Sequence, residues 1–223
     1  MIIAIDGPSG AGKSTVAKAV ASKLGFSCLD TGAMYRSVAL AAVRDGVALD
    51  DDEALGRLAR SLTIDFERSE DSPVPRTVLL NGEDVSDAIR TAEIDKAVSP
   101  ASAAPSVRTA MVDEQRRIGA SGDYVVEGRD IGTTVFPDAE VKVFLTASDE
   151  ERAHRRVRQN ADRGVGSIDY AEVLADIIRR DEYDSSRAAS PLKAADDAVQ
   201  MDSTSMYIED VIDAICELAN TAR

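Results

Sequence analysis

An apolar run, IIAID, leads directly into GPSGAGKS at residues 7–14. Few short stretches limit so tightly what a chain can fold into. The spacing is G-x-x-x-x-G-K-[ST], with Gly7, Gly12, Lys13 and Ser14 in the fixed places. Gly7, Gly10 and Gly12 are free to take positive φ and leave no Cβ between backbone N–H groups and an anion. The apolar run before the loop reads as a buried strand, and STVAKAVASKLG after it as a helix closed by Gly25. A helix N-terminus fed by such a loop offers unpaired N–H groups and a favourable dipole to phosphate. Residues Gly7, Pro8, Ser9, Gly10, Ala11, Gly12, Lys13, Ser14 and Thr15 therefore form a candidate triphosphate cradle. In it Lys13 supplies a point charge to the β- and γ-phosphates, and the Ser14 hydroxyl is a ligand for Mg²⁺.

The rest of the chain extends this beginning as alternating strands and helices. FSCLD reads as a second strand, and Thr31 as the N-cap of GAMYRSVALAAVRD, with Gly46 past its end. Asp50 to Asp52 cap DEALGRLARSL. TIDFE and TVLLNGEDV are strand-like and separated by RSEDSPVPR, which predicts a small antiparallel insert at about residues 63–87. Helical pattern resumes near Ser86, with breaks expected near Pro100 and Pro105; Pro105 starts the helix PSVRTAMVDEQRRIG. DYVVEG and EVKVFLTA are buried-strand candidates. Ser148 and Glu151 have capping-box spacing and open an arginine-rich helix, DEERAHRRVRQNADRG. A further helix (DYAEVLADIIRRDEYDSSR), a last strand (AVQMD) and an amphipathic helix (SMYIEDVIDAICELAN) follow. The expected class is α/β: a parallel sheet flanked by helices on both faces, with the antiparallel piece inserted.

Charge and composition narrow the partners. The 223 residues carry 40 acidic and 26 basic side chains, a net charge of −14, which would repel a nucleic acid. The two cysteines, Cys28 and Cys216, are far apart in sequence, which disfavours a disulfide framework or a cysteine-rich metal site. MIIAIDG has no basic n-region, and no stretch approaches the ~20 apolar residues of a membrane span. A cytoplasmic protein without nucleic-acid or membrane partners is expected. Nothing in the sequence requires a dimer, and a monomer is expected.

Among proteins with such a loop, a GTPase switch would carry an Asn-Lys-x-Asp guanine reader. Asn81, Asn160 and Asn220 are followed by Gly, Ala and Thr, so that reader is missing. VVEGRD is only a loose version of the strand-end acidic element of a motor. In a chain this acidic, arginines scattered over distant segments need a reason: Arg36, Arg108, Arg129, Arg180 and Arg187, with Arg152, Arg155 and Arg156 on one helix. Two phosphorylated substrates meeting head-on supply one, because fork-shaped donors clamp several phosphate oxygens at once. A kinase for another small acceptor, including an alcohol, and an ATP-binding regulatory module remain as alternatives.

IDGPSGAGKST, LDTGAMYR, LNGEDVSDAIR, EGRDIGTTVFPDAEVKVFL, ERAHRR and SRAASPL together resemble the bacterial cytidylate kinase (CMP kinase) family over essentially the whole chain. The resemblance implies a P-loop nucleoside monophosphate kinase fold with a five-stranded parallel core, a small antiparallel insert and a mobile lid. It places the core at residues 1–35, 120–150 and 185–223, the acceptor-binding part with its insert at 36–119 and the lid region at 151–184. The implied reaction is ATP plus CMP or dCMP giving ADP plus CDP or dCDP, with Mg²⁺ accompanying ATP. Carried over residue by residue, Arg36, Arg129 and Arg187 clamp the acceptor phosphate. Ser99, Arg108 and Asp130 read cytosine, and Asp184 with Arg180 contacts the sugar. Asp30 and Thr31 lie in the acceptor-binding set, and Arg152 and Arg156 cover the adenine and reach the phosphates. Lys13, Arg129, Arg187 and Arg156 are the implied catalytic set. Thr31 departs from the family's common Ser but keeps the hydroxyl. The lid stretch QNADRGVGSID matches loosely, and no role is carried to Arg163.

The chemistry agrees with an acceptor that is itself a phosphate. A phosphate monoester has a second pKa near ~6 and is largely a dianion at neutral pH, so it needs positioning and charge neutralisation but no general base. An alcohol acceptor would instead benefit from a carboxylate base. Asp30 is open to that reading, although a helix cap or a holder for Arg36 is the stronger one. Arg152 and Arg156, four apart, are expected to share one helix face. His154 is expected to be an incidental lid residue, and VALDDDEAL a solvated cap rather than a metal site.

Overall fold

The computed structural model describes residues 1–68, 75–187 and 189–222. Two units emerge, one made of Met1–Leu29 with Gly122–Arg223 and the other of Asp30–Ser121. Residues 69–74, within the turn-rich RSEDSPVPR stretch, lie outside the described residues.

The first unit is organised by β1 (Ile2–Asp6), which lies in the middle of a five-stranded sheet of order β2-β6-β1-β7-β8. The other strands are β2 (Ser27–Asp30), β6 (Tyr124–Gly128), β7 (Val141–Thr146) and β8 (Val199–Asp202). Ile3, Ala4 and Ile5 are buried, as expected of a strand covered on both faces. β1 runs parallel to β6 and β7, with Asp6 paired to Gly128 and to Phe144. That register brings the carboxyl ends of three strands to one edge, where open α/β sheets bind their ligands. Helix α1 (Lys13–Leu24) leaves this edge and packs on β6 and on α8 (Ile208–Thr221); α6 (Asp149–Arg163) packs on α7 (Tyr170–Ser186).

In the second unit α2 (Thr31–Asp45) packs on α4 (Ala92–Ala103), and α3 (Asp52–Ser61) on α5 (Pro105–Gly119). Strands β3 (Ile64–Arg68), β4 (Pro75–Leu80) and β5 (Glu83–Asp84) form the small antiparallel sheet.

Four expectations about local structure need correction. TVLLNGEDV is a hairpin of two strands, because Asn81 and Gly82 both take positive φ (51° and 84°) and turn the chain. Pro100 does not break α4. It sits in the last turn of the helix, where its missing N–H costs a single backbone bond. The cap of α2 is Asp30, not Thr31: its carboxylate accepts the Ala33 N–H at 2.9 Å, and Thr31 is the first helical residue. The last helix begins at Ile208 rather than at the serine of SMYIED. The π-helical turn at Ile131–Val135 was not foreseen.

Candidate functional site

The glycine loop sits between β1 and α1 in the first unit, with positive φ at Gly7, Gly10 and Gly12. At Gly7 the reason is severe. A Cβ there would lie 2.0 Å from the backbone oxygen of Leu145 on β7, so the turn out of β1 has room only for hydrogen. Lys13 is buried in the loop's concavity, and its Nζ donates to the Pro8 carbonyl at 2.7 Å. Burial, aided by the nearby positive charges of Arg129 and Arg180, pushes the Lys13 ammonium down to about 7 against the pull of Glu127 and Asp6. A cation held so weakly in its charged form is primed for an anion. A triphosphate in the loop would supply the missing counter-charge.

Two buried carboxylates at the strand ends flank the loop, and the sequence reading assigned neither of them. Glu127, on β6, accepts a hydrogen bond from Ser14 Oγ at 2.8 Å. Its signal was present in VVEG, where an acid closes an apolar run two residues before Arg129. Asp6, the last residue of β1, accepts the N–H groups of Ile131 and Gly132 at 2.8 and 2.7 Å, and so anchors the π-helical turn that follows Asp130. Burial pushes Asp6 up to about 6, although those two backbone bonds pull the other way.

A pH dependence follows from Asp6. The folded protein holds this proton more tightly than the unfolded chain does, so its contribution to stability is complete below about pH 4 and is lost as pH rises through 6. Between about pH 5 and pH 7 wild type should lose about 1 kcal/mol of unfolding free energy relative to Asp6→Asn. Denaturant melts of both proteins at the two pH values check this, and parallel curves would rule it out.

The two predicted clamp arginines of this unit meet at one predicted sugar-contacting carboxylate. Asp184, on α7 and buried, receives Arg129 Nε at 3.2 Å and faces Arg187 Nη2 at 2.5 Å. Arg187 also lies over the Tyr183 ring, 5.4 Å from its centroid. Arg180 is on the same helix, close enough for its charge to be felt by Lys13. Asp130 is buried immediately before the turn anchored by Asp6. On α6, Arg152 and Arg156 have different surroundings. Arg156 is half-buried and donates to Gln159 at 3.0 Å, whereas Arg152 is buried against the backbone of the loop. His154 is exposed and stacks on Tyr170, with centroids 4.6 Å apart.

In the second unit the predicted acceptor residues lie on α2, α4 and α5. Arg36 donates to the Ile89 carbonyl at 2.9 Å and pairs with Asp95, an acid the sequence reading did not single out. Arg108 is buried, donates to the Ser102 carbonyl at 3.4 Å and lies over Tyr35, 5.4 Å from the ring centroid. Ser99 is half-buried, three residues before Ser102 on α4. Asp30 spends one oxygen on the α2 cap, and the other is 4.0 Å from Arg90. Two acids of VALDDDEAL are held in hydrogen bonds within the unit: Asp51 caps α3, and Asp52 accepts both the N–H and the hydroxyl of Ser106 at 2.9 and 2.7 Å.

For a metal, the relevant donors are Ser14 Oγ and the Glu127 carboxylate. This is a small hard-oxygen set, which suits Mg²⁺ because that ion keeps water and takes further ligands from substrate phosphates. Among the described residues there is no cluster of three or more His, Cys, Asp or Glu that would hold a resident ion. No helix among them is long and apolar enough to cross a membrane.

Known proteins resemble the chain as a whole. A family model described as "Cytidylate kinase" matches residues 3–221. A cytidylate kinase from Geobacter sp. is 53% identical, covering 96% of this chain and 90% of its own. One from Geobacillus sp. is 49% identical over 98% of this chain and 96% of its own. In fold, an uncharacterised protein from Eubacterium ventriosum superposes with a TM-score of 0.54 at 11% identity, covering 99% and 98% of the two chains.

Proposed function

The chain belongs to the cytidylate kinase family, and from that premise we propose that it transfers the γ-phosphoryl group of ATP to CMP or dCMP by charge neutralisation without a general base. The match over residues 3–221 carries this reading. In it, the N–H groups of the glycine loop and Lys13 take the donor phosphates. Mg²⁺ arriving with ATP would be held by Ser14 and Glu127 and would neutralise charge between the β- and γ-phosphates. Arg36, Arg129 and Arg187 clamp the acceptor phosphate, already a dianion at neutral pH and so a ready nucleophile. Asp184 supports this role by holding Arg129 and Arg187 in a fixed orientation on one buried carboxylate. Arg180 and Asp184 are assigned to the sugar, and Arg156 to the transferring phosphoryl group. The acceptor-binding part is taken as residues 36–119 and the lid as 151–184. The same reading has the protein as a cytoplasmic monomer without nucleic-acid or membrane partners.

Cytosine presents an N4 amino donor beside the N3 and O2 acceptors. A carboxylate such as Asp130 and donors such as Arg108 and Ser99 complement that edge. Uracil would turn O4 toward the carboxylate and leave buried polar groups mismatched, at about 1–3 kcal/mol each. With ADP release followed for CMP, dCMP, UMP, AMP and shikimate, kcat/KM for CMP and dCMP should exceed that for UMP by about 10- to 100-fold. Equal turnover of UMP and CMP would refute the assignment of the readers, and turnover of shikimate in preference to nucleotides would refute the acceptor class.

A further inference from the structure

The glycine loop exposes three carbonyls that each meet a cation. Pro8 O accepts from Lys13 Nζ at 2.7 Å, Ser9 O from Arg152 Nη1 at 2.8 Å, and Ala11 O from Arg155 Nη1 at 3.3 Å. Lys13 belongs to the loop motif. The two arginines come from α6, more than a hundred residues later, and only one of them had been assigned a role.

A trans peptide is planar, with its C=O and the next N–H pointing in opposite directions. A donor that holds the carbonyl of residue i on one side therefore directs the N–H of residue i+1 to the other. The Ser9 carbonyl determines the direction of the Gly10 N–H, and the Ala11 carbonyl that of the Gly12 N–H. These are the peptides that can turn over most easily, because each ends on a glycine with no Cβ to resist rotation. An anion cradle built on glycines gains close approach to its ligand but needs outside constraint to keep its donors aligned.

That constraint is built in detail. Arg152 is buried and also donates to the Ala147 carbonyl at 3.1 Å, and it pairs with Asp149 and Asp181, each at 2.5 Å. Asp181 in turn accepts the Ser9 N–H at 3.4 Å, so both faces of Ser9 are held. A Cβ on Gly10 would lie 3.1 Å from Arg152 Cβ and 3.2 Å from its carbonyl oxygen, so a side chain there would press on α6. Arg155 is oriented by Glu151 at 2.8 Å and by the Ser203 hydroxyl and carbonyl at 3.1 and 2.8 Å. Ser203 Oγ also lies 3.5 Å from the Ala11 carbonyl, and a Cβ on Gly12 would meet Arg155 Nη1 at 3.7 Å.

We propose that Arg152 and Arg155 are positioning residues of the donor-phosphate cradle: from α6 they hold the Ser9 and Ala11 carbonyls outward, so that the N–H groups of Gly10 and Gly12 face the phosphates. This rests on reading the loop as a phosphate cradle, and it gives Arg152 a role other than covering the adenine.

The two roles separate with a ligand that has phosphates but no base. Binding of ATP, of inorganic tripolyphosphate and of CMP is measured by calorimetry for wild type, Arg155→Ala, Arg155→Lys, Arg152→Lys and Lys13→Met. Arg155→Ala should weaken ATP and tripolyphosphate by the same factor, about tenfold, and leave CMP within about twofold. Arg155→Lys should recover part of that loss. Arg152→Lys should also weaken both phosphate ligands equally. Loss of ATP affinity with tripolyphosphate unaffected would show contact with the base and overturn the proposal, as would unchanged binding of both. Should Arg155→Ala lose its fold, Ser203→Ala takes over the test by removing the hydroxyl that accepts from Arg155 Nη1 and so orients it toward the Ala11 carbonyl. A parallel threefold loss for both phosphate ligands then supports the proposal, and no loss overturns it. Lys13→Met distinguishes the underlying reading: if it binds tripolyphosphate as wild type does, the loop is not the cradle and both ideas fail. If it loses that ligand while the arginine variants do not, only the positioning role fails.

Discussion

Lys13→Met should lower kcat by about a thousandfold while leaving the protein folded. Methionine nearly matches the lysine stem in shape, so the packing inside the loop survives. The lost group is the only cation inside the loop itself, buried and bonded to Pro8 O. Removing a single preorganised charge from a phosphoryl-transfer site typically costs two to three orders of magnitude, roughly 3–4 kcal/mol of transition-state stabilisation. The thermal midpoint should hold steady or rise, because the buried ammonium is already pushed down to about 7 by desolvation and by Arg129. Steady-state ADP release at saturating ATP and CMP provides the number. Turnover within a few-fold of wild type would end the charge-neutralisation account.

Gly7→Ala should have the largest effect on stability. The added methyl carbon would sit 2.0 Å from Leu145 O, well inside van der Waals contact with backbone that cannot swing aside. The residue also holds φ at +147°, a region open to glycine and costly for alanine. Relief would require β1 and β7 to separate where they pair, at Asp6 with Phe144. A loss of at least about 3 kcal/mol is expected, which for a chain of this size lowers the melting midpoint by about 10 °C. A midpoint within a degree or two of wild type would mean that the loop does not approach β7 as closely as described.

Much of the architecture was legible because its causes are local. The IIAID run, the Ser148 cap, the glycines past helix ends and the proline opening α5 each determine a boundary within a few residues; the reciprocal half of the expected capping box does not form, because the Ser148 N–H goes to Thr204 and the Glu151 carboxylate to Arg155. The errors were local too, and informative. Asp30 and Thr31 are adjacent cap formers, and the sequence offers no way to tell which side chain points back at the Ala33 N–H. Asn81-Gly82 is a strong turn signal that was passed over inside a longer strand-like run. Glu127 stood in plain view at the end of an apolar run, but its partner, the Ser14 hydroxyl, lies 113 residues away.

Asp6, Asp181, Arg155 and Asp95 were not legible in the same way. Each acts through a partner far along the chain: Asp6 through the N–H groups of 131 and 132, Asp181 through Ser9 and Arg152, Arg155 through Ala11 and Ser203, Asp95 through Arg36. In sequence such residues are single charges among 40 acids and 26 bases. The sequence by itself determined that a glycine-lined anion loop joins a buried strand to a helix, since that depends on φ freedom, hydrophobic run and helix end within fifteen residues. Only the tertiary structure decided which cations face that loop's carbonyls and which carboxylates hold its arginines, because a hydrogen bond between α6 and the loop exists only once the fold has brought together segments more than a hundred residues apart.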